Sequence, residues 1–227
     1  MQILLQVNTP NLEKSIAFYN QIGFQYKELY EKHFVSDGKN VIYINEAKTA
    51  RAGIVFNGAN MQLIDAITSK YAHTNANRET ILADPSGTFI YLVQDEFQIP
   101  EFVNKNSLLG NAAGVSLEMV DVELGMKLYT NLGFSKTQGD LTNGWVLLQH
   151  FTGFGLSIMA PNACPHIFHN PSLTYFNGKE GNEIVIANLR ESNISFAEEI
   201  TAFNKEGKVD NVILTDPAGF GFFVFND

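Results

Sequence analysis

The strongest constraint on this chain is an internal repeat. Ser15-Ile16-Ala17-Phe18-Tyr19-Asn20-Gln21-Ile22-Gly23-Phe24 matches Gly125-Met126-Lys127-Leu128-Tyr129-Thr130-Asn131-Leu132-Gly133-Phe134 at a shift of 110 residues (15 to 125). Asp84-Pro85-Ser86-Gly87 matches Asp216-Pro217-Ala218-Gly219 at a shift of 132 (84 to 216). Two ordered motifs that recur together imply two similar halves, the second carrying about 22 extra residues between its motifs. The halves are assigned to residues 1–96 and 112–227. A Pro- and Asn-containing linker spans 97–111, and an insertion covers about 160–181.

Hydrophobic patterning places the elements. Short apolar runs at 3–8, 25–30, 41–44, 53–57 and 89–93 read as strands. Asn11 is suited to cap a helix in which Leu12, Ile16, Tyr19 and Ile22 recur at helical spacing, and Gly23 ends it. A second helical period covers 61–71. In the second half, strands are expected at 115–120, 145–150, 155–159, 184–187, 209–214 and 222–225, with helices at 122–132 and 192–204. Each Asp-Pro-small-Gly sequence is a turn with proline at its second position, feeding a strand. The class is α+β, with four βαβββ units of about 50–57 residues each.

This arrangement, a strand, a helix ending in (F/L)Y-x-x-(I/L)-GF and a DP(S/A)G turn before the last strand, occurs twice and in order. It resembles the vicinal oxygen chelate superfamily, which includes glyoxalase I, extradiol dioxygenases and the fosfomycin and bleomycin resistance proteins. The resemblance implies two tandem glyoxalase-like half-open barrels, each curled around a cavity. In metal-dependent members, His, His and Glu on particular strands hold a divalent ion that polarises two neighbouring substrate oxygens.

Carried over through the helix and turn motifs, those ligand positions fall on Leu4, Tyr43, Ala52 and Tyr91 in the first half and on Gly114, Ser157, Val185 and Phe223 in the second. None is His, Asp or Glu, and a slip of one residue does not supply one. The expectation is therefore no metal and no other cofactor. Aromatic Tyr43, Tyr91 and Phe223 instead suit a cavity for a flat or apolar molecule.

Composition narrows the partners. The formal charge is -9, and only three arginines are present, at 51, 78 and 190. A nucleic-acid surface needs clustered cations, so no nucleic-acid partner is expected. No apolar run approaches the roughly 20 residues of a membrane helix, so no membrane partner is expected either. The start of the chain lacks the pattern of a secretory signal. A single cysteine, Cys164, leaves no intrachain disulfide and suits a reducing, cytoplasmic setting. The assembly expected is a monomer or homodimer.

Further candidates for ligand contact are Trp145 and His150 on one strand, Glu118 on the strand before the 122–132 helix, and His166 and His169 in the insertion. Three functions are compatible with these residues. The leading one is metal-independent binding of a small apolar or aromatic ligand, as in bleomycin-resistance-type members. The second is a lyase, isomerase or dioxygenase whose metal is held by non-standard residues such as Glu118, His150, His166, His169 or Glu183. The third is a protein-interaction module with filled cavities.

Overall fold

The computed structural model describes residues 1–47, 50–76 and 78–226. The first half contains β1 (Gln2–Asn8), α1 (Leu12–Gln21), β2 (Gln25–Leu29), β3 (Lys32–Ser36), β4 (Val41–Asn45), β5 (Gly53–Asn57), α2 (Met61–Thr68), β6 (Thr74–Ala76), β7 (Glu79–Ala83) and β8 (Phe89–Val93). The second contains β9 (Ala112–Glu118), α3 (Val122–Asn131), β10 (Phe134–Asp140), β11 (Trp145–His150), β12 (Gly155–Met159), β13 (Ser172–Phe176), α4 (Lys179–Glu191), β14 (Glu198–Ile200), β15 (Asn211–Thr215) and β16 (Gly221–Phe225).

The eight strands of each half form one mixed sheet, ordered β2-β3-β4-β1-β5-β8-β7-β6 and β10-β11-β12-β9-β13-β16-β15-β14. The two orders are identical once the strands are renumbered. The end strands of each sheet do not pair with one another, so both remain half-open.

Local chemistry sets the elements as expected at the repeat motifs. The Asn11 side chain accepts the Lys14 N–H at 2.9 Å, and the equivalent Asp121 accepts from Leu124 at 2.8 Å. Gly23 and Gly133 follow their helices at φ +81° and +98°, a conformation open to glycine without strain. In each Asp-Pro turn the aspartate accepts from the backbone two and four residues on: Asp84 from Ser86 and Thr88, Asp216 from Ala218 and Phe220.

Three expectations in the second half are corrected. Residues 184–187 are not a strand; they lie inside α4, where Asn182, Ile186 and Leu189 turn one buried face inward. The helix expected at 192–204 is irregular chain and the short β14. The insertion expected at 160–181 contains β13 and the start of α4, so its irregular part is shorter. In the first half β3, β6 and β7 were not foreseen.

Alternation within the strands divides the core. Leu5, Val7, Ile54, Phe56, Ile90 and Leu92 from the first sheet join Val115, Leu117, Leu173, Tyr175, Phe222 and Val224 from the second in one continuous apolar cluster. The residues between them face the opposite, concave sides. There Leu4, Phe34, Val55, Tyr91 and Val93 form a separate cluster in the first half, and Ile200, Ile213 and Phe223 a smaller one in the second.

Candidate functional site

The concave faces have different fates. In the first half the linker folds back over the sheet: Phe97, Ile99 and Phe102 pack against the Leu4–Phe34–Val55–Tyr91–Val93 cluster. Asn57 fixes this path, donating to the Phe97 carbonyl at 2.7 Å and accepting the Phe97 N–H at 3.0 Å. What remains is a small polar recess of about 210 Å³ beside Lys32, Tyr43, Glu79, Tyr91 and Phe97. The Lys32 ammonium sits over the rings of Tyr43 and Phe97, at 5.1 and 5.0 Å from their centres. Burial raises the Glu79 carboxyl and the Tyr43 and Tyr91 hydroxyls above their ordinary pKa values; Lys32 opposes the rise at Glu79. The Tyr91 hydroxyl is committed to the Arg51 backbone, donating to its carbonyl at 2.8 Å and accepting its N–H at 3.1 Å.

The second half keeps an open cavity of about 440 Å³. Its floor is the concave face of β12, β9, β13 and β16, carrying Ser157, Gly114, Ser116, Thr174, Phe223 and Phe225. Trp145 and Leu147 of β11 and Gln138 of β10 form one wall. Cys164, His166 and Phe168, from the chain between β12 and β13, form the other. Among the described residues, no carboxylate, lysine or arginine side chain lines it.

Aromatic packing shapes this chamber. The Phe223 and Phe225 rings are parallel within 3° at 5.5 Å. Phe168 meets Phe223 edge-on at 4.9 Å, and Phe176 lies against Phe225. The covering segment is tied down by two carboxylates: Glu118 accepts the Asn162 N–H at 3.1 Å and Glu198 accepts the Ile167 N–H at 3.2 Å. Burial, with the Glu118 charge adding to it, raises the Cys164 thiol above its ordinary pKa.

The structure therefore separates the residues singled out in the sequence. Trp145, His166 and Phe223 meet at the large cavity, whereas Tyr43 and Tyr91 belong to the recess of the other half. Glu118 stands outside the cavity wall, beside the covering segment. His166 is wedged against Phe223 and Phe225, its Nδ1 3.1 Å from the Ile167 carbonyl and its Nε2 enclosed with no hydrogen-bond partner among the described residues. His169 packs on Gly221 in the cleft between the halves.

His150 points the other way. Trp145 and Leu147 face the cavity, so strand alternation puts Val146, Leu148 and His150 on the opposite side. There His150 packs on Phe134 at 5.1 Å and Phe56 at 6.3 Å, fully within the protein. Its Nδ1 accepts the Thr152 N–H at 3.3 Å. Burial, with the positive chain terminus adding to it, holds the imidazole below its ordinary pKa. Sequence reasoning did not single out Ser116, Gln138, Leu147, Phe168, Thr174 or Phe225 as site residues. Phe225 and Leu147 carried a signal, each two residues from a singled-out residue, Phe223 and Trp145, on the same strand face.

No family model matches the chain, and no curated protein sequence matches it. Solved structures do. The 2,3-dioxygenase LapB from Pseudomonas sp. KL28 is 16% identical, with 97% of this chain and 89% of that one covered, at a TM-score of 0.58. The Mn(II)-bound glyoxalase from Novosphingobium aromaticivorans is 13% identical over 97% of this chain and 79% of that one, at 0.55. An E323L mutant of homoprotocatechuate 2,3-dioxygenase from Brevibacterium fuscum is 14% identical over 99% and 70%, at 0.59. With the strand orders above, these likenesses define the class: this chain has the vicinal oxygen chelate fold. In particular, it is a tandem α+β form with two glyoxalase-like half-open sheets.

The donor set can now be compared with the metal that this fold family implies. Leu4, Val55 and Tyr91 lie side by side across the first sheet, and Gly114, Thr174 and Phe223 across the second. The register replaces two residues of the sequence alignment: Val55 stands where Ala52 was expected, and Thr174 where Val185 was. Neither is a carboxylate or imidazole, so these rows do not fit a divalent ion. Gly114 deepens the mismatch. Its φ is +147°, and a Cβ added there would lie 2.9 Å from the Gly155 carbonyl oxygen. Among the described residues, no group of three or more His, Cys, Asp or Glu is placed to hold an ion elsewhere.

Proposed function

We propose that the chain binds one small, uncharged, largely apolar or aromatic molecule in the β9–β16 cavity, without a metal, as bleomycin-resistance-type members of the fold do. The observation that carries this reading is the cavity itself: about 440 Å³, walled by Trp145, Phe168, Phe223 and Phe225, and lined by no charged side chain among the described residues. Burying an ionised ligand there would leave its charge without a counter-ion, which is strongly unfavourable. A flat apolar ligand loses no such interaction and gains ring contacts. The filled-cavity alternative suits the first half, where Phe97 lies on the concave face, but not the second. A single small molecule as partner, with no nucleic acid, in a monomer or homodimer and a reducing cytoplasmic setting, belongs to the same proposal. The charge of -9 and the lone free thiol support it. Among the described residues, no helix is long and apolar enough to cross a membrane.

Trp145 is the only tryptophan, which makes the test direct. Titration with the uncharged fluorophore N-phenyl-1-naphthylamine is expected to quench Trp145 emission in a saturable, one-to-one manner, in protein whose transition-metal content by elemental mass spectrometry is far below stoichiometric. Absence of saturable binding would overturn the proposal. The structural neighbours, dioxygenases and a Mn(II)-bound glyoxalase, favour a second reading, a metal-dependent enzyme. Near-stoichiometric metal that survives gel filtration would establish that reading in place of the first.

A further inference from the structure

The hydrogen-bonding capacity of the cavity floor points to the chemistry of the ligand. Ser157 on β12 and Ser116 on β9 are register partners on adjacent parallel strands, and Thr174 on β13 bonds Ser116 hydroxyl to hydroxyl at 2.7 Å. All three line the cavity. Ser157 Oγ accepts the Trp145 Nε1–H at 2.9 Å, which leaves the serine's own hydrogen uncommitted among the described residues. In the Ser116–Thr174 pair one hydroxyl hydrogen joins the two oxygens, so one hydrogen of that pair also remains. With Thr174 as the donor within the pair, the hydrogen that remains is that of Ser116, and the O–H groups of Ser157 and Ser116 stand on neighbouring strands about 4.8 Å apart. That spacing allows both to reach a single oxygen at about 2.8 Å each.

We infer that this hydroxyl floor is a docking point for one acceptor oxygen, and that the ligand class is an uncharged aromatic ketone or related carbonyl compound. The inference rests on the cavity-binding reading above and adds to it. A carbonyl oxygen presents two lone pairs in one plane and can take both donors at once. A carboxylate would bring a charge that no cation among the described wall residues balances. A bare hydrocarbon would cover both hydrogens with nothing to accept them, at a cost typical of unsatisfied buried polar groups. The rings meanwhile take the space between Trp145 and the Phe223–Phe225 stack.

The test compares three bicyclic probes of one shape by calorimetry: 1-indanone, indane and 5-indanol. The ketone is expected to bind about tenfold more tightly than indane, the scale of one to two net hydrogen bonds. In Ser157→Ala and Ser116→Ala the ketone preference should shrink to about threefold or less while indane affinity stays unchanged. The wild-type comparison needs no variant, so a misfolded substitution does not blunt the test. Equal affinity for ketone and indane, or tightest binding of 5-indanol, would overturn the carbonyl inference and leave the cavity reading intact. Failure of all three probes together with N-phenyl-1-naphthylamine would overturn both.

Discussion

The Tyr129 hydroxyl, on α3 of the second half, donates to Asp84 Oδ2, in the turn of the first half, at 2.9 Å. Its repeat-mate Tyr19, on α1, donates to Asp216 of the second half at 3.2 Å. The two motifs that reveal the repeat are thus joined crosswise, the helix tyrosine of each half to the turn aspartate of the other. All four side chains are buried. Tyr129→Phe leaves a buried carboxyl short of one donor, an expected loss of about 1.5–3 kcal/mol. Tyr19→Phe, with the longer bond, should cost less. Urea unfolding of the two variants measures both.

Acidification tests His150. Its folded pKa lies below the ordinary value, so its contribution to stability is fully present above about pH 6.5 and is lost as pH falls towards the folded value. Asp84 and Asp216 act in the opposite sense. Burial raises both, so their contribution is fully present below about pH 3.9 and is lost as pH rises through the raised value. His150→Gln should flatten the loss of stability below pH 6.5 and leave that above pH 7 nearly level with pH. Urea midpoints from pH 7.5 to 5 give the comparison.

Phe97→Ala empties part of the first concave face. The ring is only partly buried, so a loss of about 1–3 kcal/mol is expected, below the range for a fully buried phenylalanine. The second outcome is more diagnostic: N-phenyl-1-naphthylamine should bind at two sites instead of one. A variant that unfolds more easily yet keeps one site would mean that Phe97 does not occupy binding space.

Glu118→Gln should make Cys164 more reactive. The substitution keeps an acceptor for the Asn162 N–H and removes the charge that helps raise the thiol. The rate of reaction with a disulfide reagent, followed against pH, should shift to a lower apparent pKa and rise severalfold at neutral pH. Cys164 is the only thiol, so the profile belongs to one residue.

Gly114→His addresses the metal row. The backbone there favours glycine and the Gly155 carbonyl crowds the Cβ position, so destabilisation by about 1–3 kcal/mol is expected. The triple variant Gly114→His, Thr174→His, Phe223→Glu supplies the family's residue types on a backbone that does not seat them. It should bind Mn(II) weakly or not at all by calorimetry.

Much of this architecture was legible where a motif fixed the register. The Asp-Pro turns place Tyr91 and Phe223 on their strands, and β5, β8, β11 and β12 have the bounds read from the sequence. Reading failed where short apolar runs were ambiguous. Residues 184–187 suit a strand by composition, yet they continue a helical face through Ile186 and Leu189. β13 lay hidden among prolines and asparagines, and with it Thr174. The cavity was harder still, because it depends on where the linker and the 160–171 segment run. Nothing local to Phe97 announces that it lies on one bowl, and nothing local to Phe168 that it lines the other.

The continuous apolar cluster beneath both sheets has a consequence for how the chain can be divided. Phe222 of the second half packs among Phe18, Tyr19 and Phe24 of the first, at ring separations of 5.9 to 6.0 Å. Either half expressed alone would present this surface to water and strand an aspartate whose donor lies in the missing piece. A sequence that divides neatly in two by inspection thus encodes a single cooperative unit. Its excised halves should recover native structure only on being mixed, as complementing fragments.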